Sequence, residues 1–111
     1  MNERFDIIVI GSGTSGLTVA SGTARFGAKV GLVERDRLGG ECLWTGCVPG
    51  KSLIRSAKLA SDLRHAAEFG LRPTKPKFDF ATVMPSMREA RHSVGKHDDP
   101  TRFEKMGIDV I

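Results

Sequence analysis

Apolar and polar positions divide the chain into short, strongly patterned segments. Residues 5–10, Phe-Asp-Ile-Ile-Val-Ile, are rich in β-branched residues and continuously apolar from position 7. That pattern predicts a strand buried on both faces, as in parallel sheets. A glycine-rich turn spans Gly11 to Gly16. Leu17 to Phe26 then has helical spacing at Leu17, Ala20 and Ala24, with Gly27 as the stop. Lys29 to Glu34 reads as a second strand, which completes a βαβ unit. Residues 35–47 read as a loop. Pro49 suits the first turn of a helix running to about Phe69, stopped by Gly70. Its apolar positions Leu53, Ile54, Ala57, Ala60 and Leu63 form one face, and Lys51, Arg55 and Lys58 lie on another. Residues 71–78 carry two prolines and several basic groups and predict a surface connection. Asp79 is a candidate N-cap for a helix over 80–95, which Pro85 should kink or delay. Asp98-Asp99-Pro100 predicts a short helix to Met106, and Ile108–Ile111 a strand beginning as the chain ends.

Composition narrows the class. The chain has 111 residues, 40% hydrophobic and 27% charged, which is ordinary for one globular domain and argues against disorder. Its 13 glycines cluster at 11–31 and 39–50, as motif glycines rather than linker. Two cysteines are too few for a disulfide scaffold. The longest N-terminal apolar run, Ile7–Ile10, is too short for a membrane span or a signal peptide, so the expected address is the cytoplasm, with no membrane partner. A net charge of +4 and a pI near 9.4 permit binding to nucleic acid or phosphate without showing it. Lys51, Arg55, Lys58 and Arg64 read as a solvated helix face. With no tyrosine and Trp44 the one tryptophan, there is little for base stacking, and no nucleic-acid partner is expected.

Gly11-Ser12-Gly13-Thr14-Ser15-Gly16 is G-x-G-x-x-G between a predicted strand and a predicted helix. An acidic residue, Glu34, ends the next strand 18 residues after Gly16. In that context the pattern is the dinucleotide-binding fingerprint. Gly11 allows the tight turn, Gly13 lets backbone approach a pyrophosphate, and Gly16 lets the helix pack closely. The helix N-terminus offers N–H groups to phosphate. Glu34 can accept hydrogen bonds from ribose hydroxyls, and its charge disfavours a 2′-phosphate. The fingerprint does not separate FAD from NAD, and a ligand-free glycine turn is the plain rival reading.

Gly39-Gly40-Glu41-Cys42-Leu43-Trp44-Thr45-Gly46-Cys47-Val48-Pro49-Gly50-Lys51 carries the second signal. Cys47 lies near a predicted helix N-terminus, where the dipole favours a thiolate, so the pair reads as redox-active. Three rivals stand beside this. Two structural thiols are the bland one. A zinc site with His92 and His97 has too long a gap between its ligand pairs. A P-loop at Gly46–Ser52 is one residue short and loses a donor at Pro49.

With both motifs present, the sequence resembles the N-terminus of the class I pyridine nucleotide–disulfide oxidoreductases. It carries the GxGxxG, the acidic strand end and the family's GG-x-C-x4-C-x-P-x-K. The resemblance covers residues 1–70 throughout and returns at 97–111, with wording nearest to mercuric-reductase-like and dihydrolipoamide-dehydrogenase-like branches. It implies an α/β fold. Residues 1–111 would be the N-terminal part of an incomplete Rossmann-like FAD-binding domain with a parallel βαβ core, its redox-disulfide loop and helix at about 39–69.

The implied cofactor is FAD, with NAD(P)H in the full-length enzyme and no resident metal. Gly11, Ser12, Gly13, Thr14, Ser15 and Gly16 would hold the pyrophosphate, and Glu34 the ribose with Arg35 beside it. Gly39, Gly40, Glu41, Cys42 and Lys51 would line the flavin side, Lys51 stabilising reduced flavin. The implied reaction passes electrons from NAD(P)H through FAD to a Cys42–Cys47 disulfide, then to a small-molecule disulfide or metal-ion substrate. Cys47 would be the charge-transfer thiolate and Cys42 the interchange thiol.

The sequence departs from the family at Gly50, where members carry a side chain, and Gly31 weakens the second strand. Members are several times longer and homodimeric, with a His–Glu pair in a C-terminal domain. His65, His92 and His97 lack that context and read as ordinary histidines. The piece alone is expected to be inactive; the alternative is a stand-alone nucleotide- or flavin-binding module without catalysis.

Overall fold

A computed structural model describes residues 4–111, so the first three positions of the expected 1–111 unit lie outside the description. Three parallel strands lie in the order β1 (Ile7–Ile10), β2 (Val30–Val33), β3 (Ile108–Val110). Ile7 pairs with Val30 and Ile10 with Val33; on the other side Val30 pairs with Ile108 and Leu32 with Val110. Helix α1 (Thr14–Arg25) crosses from β1 to β2 and lays Leu17 and Ala20 on the sheet. The core joins these to Val30, Leu32, Leu38, Phe103 and Ile108. This is an α/β unit with a parallel βαβ core, as in part of a Rossmann-like domain.

β1 departs from its expected two-sided burial. Ile7 and Val9 face α1, whereas Ile8 and Ile10 are 59% and 85% exposed. Helix α1, packed on the strand, covers one face, so the side-chain alternation of the strand divides its apolar run. Helix α1 starts at Thr14, three residues before Leu17, because the glycine loop already turns the backbone into the helix at Gly13.

The segment expected as a loop contains a short helix, α2 (Gly40–Trp44), entered through left-handed Gly39. Helix α3 (Cys47–Arg64) starts ahead of Pro49, whose missing N–H costs nothing in the first turn. It ends at Arg64; a 3-10 turn (Ala66–Phe69) fills the rest and closes at Gly70, φ +74°. Of its expected apolar face, Leu53, Ala57, Ala60 and Leu63 line a groove against Phe78, Phe80 and Val83, while Ile54 points away and is 68% exposed. One residue is about 100° around a helix, so Leu53 and Ile54 cannot share a narrow contact.

Helix α4 (Phe80–Gly95) begins where Asp79 places it, the carboxylate accepting from the Ala81 N–H at 3.0 Å. Pro85 does not delay the start. It sits near the N-terminus with Ala81 exposed, so water can reach the carbonyl that Pro85 cannot serve. α3 and α4 form an antiparallel hairpin, and the molecule is 69 Å long with a radius of gyration of 20.0 Å. A compact chain of this length would have about 13 Å. Helix α5 (Pro100–Glu104), capped by Asp99, drops Phe103 into the core, and Gly107 turns the chain into β3.

Candidate dinucleotide and redox site

The glycine loop is an extension of β1. Gly11 donates to the Val33 carbonyl at 2.8 Å and turns with φ +95°. Gly13 is the N-cap of α1 and provides no side-chain cap. The N–H groups of Thr14, Ser15 and Gly16 therefore lack intrahelical partners at the positive end of the helix dipole. A Cβ on Gly16 would overlap the Gly11 carbonyl oxygen, whereas one on Gly13 would meet nothing within 4 Å. One glycine closes the turn; the other leaves bare backbone beside open space.

Glu34 braces this loop from the end of β2. Ser12 is fully buried, and both its N–H and its hydroxyl donate to Glu34 Oε2, at 2.9 and 2.5 Å. The Asp36 N–H donates to Oε1 at 3.1 Å. The Ser12 hydroxyl, then the Ser12 and Asp36 amides, hold the carboxyl down at about 2. Arg35 beside it is exposed.

The second motif docks on the first through backbone. The Gly39 N–H donates to the Ser12 carbonyl at 3.0 Å. A Cβ on Gly40 would lie 2.6 Å from Gly13 Cα, so only glycine allows this approach. Gly39 and Gly40 have φ of +110° and +61°.

This contact carries α2 and its Cys42 to the start of α1. Cys42 is half-buried on α2, and Cys47 is exposed as the first residue of α3. The Cys42 thiol is raised above its ordinary value, first by its hydrogen bond with Cys47, then by burial and by the charge on Cys47. The Thr14 hydroxyl, which also reaches Cys42, acts the other way. A cavity of about 270 Å³ opens beside the pair, lined among others by Thr14, Leu17, Cys42, Val48 and Val94.

Residues 5–106 match the family model described as pyridine nucleotide-disulphide oxidoreductase. The chain belongs to that family. Dihydrolipoyl dehydrogenase of Zymomonas mobilis is 44% identical over 89 residues, 80% of this chain and 19% of the relative. The Chlamydia muridarum dihydrolipoyl dehydrogenase is 35% identical over 114 residues, 96% of this chain and 24% of the relative. That of Bacillus subtilis is 37% identical over 83 residues, 75% of this chain and 18% of the relative. The chain thus spans a quarter or less of these relatives. The family depends on FAD and NAD(P)H. The open face at Gly13 and the unpaired α1 amides fit the pyrophosphate of such a dinucleotide.

The remaining predicted site residues are less closely gathered. Lys51 lies one turn beyond Cys47 on α3 and is exposed. Glu41 is exposed on α2, its carbonyl accepting from Thr45 N–H at 2.9 Å. His65, His92 and His97 are exposed, and the described residues bring no three His, Cys, Asp or Glu side chains together as a metal site. Among the described residues, no helix is long and apolar enough to cross a membrane.

Three residues absent from the sequence-based site meet at α2. Trp44 Nε1 donates to the Leu38 carbonyl at 2.8 Å, and the Arg37 guanidinium lies 3.8 Å from the ring centroid. Arg91, on α4, donates from Nη1 to the Trp44 carbonyl at 3.0 Å. A tryptophan between two cysteines was the only local signal; its partner is 47 residues away.

Proposed function

We propose that residues 1–111 form the N-terminal part of the FAD-binding domain of a cytoplasmic, homodimeric flavoprotein disulfide oxidoreductase that uses NAD(P)H and acts on a small disulfide. The observation that carries this is the backbone docking of Gly39 and Gly40 onto Ser12 and Gly13. It brings the two cysteines near the open backbone face at Gly13, which supports reading that face as a phosphate cradle. A disulfide substrate is favoured over a metal ion because the relatives are dihydrolipoyl dehydrogenases.

In this reading Gly11 to Gly16 hold the pyrophosphate through the α1 amides. Glu34 fixes the loop through Ser12 and keeps lone pairs for a ribose hydroxyl, with Arg35 at its side. Gly39, Gly40, Glu41, Cys42 and Lys51 border the flavin side. When bound, FAD supplies the two-electron relay between NAD(P)H and the cysteine pair. The reduced Cys42 attacks one substrate sulfur and releases the other as a thiol. Cys47 then attacks Cys42, releases the second thiol and closes the Cys42–Cys47 bond. Two thiol protons pass to the two leaving sulfurs, and the exchange runs in either direction.

Absorption of the purified protein, loaded with FAD and desalted, tests the cradle. Retained flavin bands that disappear in Gly13→Val, whose side chain fills the open face, are the expected result. Equal retention by both proteins, or no retention together with no Cys42–Cys47 disulfide on mild oxidation, overturns the reading.

A further inference from the structure

The segment between the two cysteines is pinned from outside. Cys42 belongs to α2 and Cys47 to α3, so the relation of those two helices sets the distance between the sulfurs. Four residues join the two cysteines: Leu43 is buried, and the exposed Thr45 and Gly46 are held by backbone bonds to Glu41 and Gly50. The other restraint acts at Trp44. Its ring nitrogen is tied to Leu38, its face is covered by Arg37, and its carbonyl, at the end of α2, accepts from Arg91. The Arg91 guanidinium also lies 5.5 Å from the indole centroid and is half-buried. α4, remote in sequence, thereby holds the end of α2 against the start of α3.

We propose that Arg91 is a positioning residue for the Cys42–Cys47 pair, holding Trp44 so that the two sulfurs stay within bonding reach. The proposal rests on the redox reading of the pair. Its physical basis is effective concentration. A dithiol whose linking segment is already ordered loses less freedom when the disulfide closes, so closure is more favourable. Releasing Trp44 loosens the dithiol state more than the cross-linked state and shifts the balance toward dithiol.

The test is equilibrium of the protein with glutathione buffers, quenched by alkylation and read by mass. Oxidised glutathione is reduced to two thiols as the Cys42–Cys47 bond forms, the two cysteine protons passing to glutathione. Arg91→Ala is expected to lower the equilibrium constant for disulfide formation by about fivefold, within the worth of the one hydrogen bond whose loss lets the dithiol relax while the cross-link still holds the other state. Arg91→Lys, which keeps a cationic donor, should recover part of that loss. Arg88→Ala, exposed on the same helix, should leave the constant at the wild-type value.

A purely structural role for Arg91 would lower the melting temperature without moving the constant, and that outcome overturns the proposal. So does an equal shift in Arg88→Ala. If Arg91→Ala fails to fold by circular dichroism, Arg91→Gln carries the same expectation and the same refutation. A wild-type protein that forms no Cys42–Cys47 disulfide in any buffer sinks the redox reading itself. A wild-type disulfide with an unchanged constant in the Arg91 variants sinks only this inference.

Discussion

Ser12 and Glu34 show how much one polar pair can do. Ser12 is buried without a polar penalty because its amide and hydroxyl both meet the same carboxylate oxygen. Glu34 is therefore a brace for the glycine loop as well as a candidate ribose acceptor. Its carboxyl lies near 2 in the folded protein against 4.5 ordinarily, so it binds its proton less readily when folded. The resulting stability is present above 4.5 and is lost as pH falls from there through about 2. Ser12→Ala should destabilise the protein by about 1–2 kcal/mol at pH 7 and flatten the acid loss. Urea titrations repeated across that pH range measure both. The G-x-G-x-x-G spacing marks Ser12 as a loop residue, but which carboxylate it meets depends on β2 lying beside β1.

At the scale of elements, two glycines on one helix separate packing from propensity. In Gly16→Ala the methyl would overlap the Gly11 carbonyl, and backbone cannot give way as a flexible side chain can. We expect a loss of about 3 kcal/mol or more. Gly22→Ala, in the same helix with open space around it, should stabilise by about 0.5–1 kcal/mol through helix propensity. Chemical denaturation of the two variants beside wild type decides it; a similar effect from both would contradict the packing account. Local signals were well legible here: the Asp79 cap, the Gly27 stop and the Asp99-Pro100 helix start stand where the sequence puts them, whereas α3 ends at Arg64 and Gly70 closes only the 3-10 turn that follows. α2 was not legible. Two glycines at its start argue against a helix, and the turn forms because Gly39 and Gly40 alone can take left-handed backbone against Gly13.

At the scale of the whole molecule, the apolar surface is unevenly covered. Ile8 and Ile10 stand on the uncovered side of the sheet, and Phe78 and Phe80 stack edge to face at the far end of the α3–α4 hairpin, both exposed. Such patches bind apolar dyes. The protein should enhance the fluorescence of anilinonaphthalene sulfonate in its folded state, and Ile10→Thr combined with Phe78→Ser should reduce it severalfold without loss of helical circular dichroism. Undiminished fluorescence would place the dye elsewhere.

The sequence by itself determined the βαβ unit, the glycine turn between strand and helix and the placing of Cys47 at a helix start, because each rests on local rules: strand periodicity, glycine torsions and motif spacing. Only the tertiary structure decided which face of β1 is covered, that Glu34 grips Ser12, and that Arg91 reaches Trp44 across 47 residues. Those outcomes depend on which elements become neighbours. That choice is made by burial summed over the fold, which no local window of sequence contains.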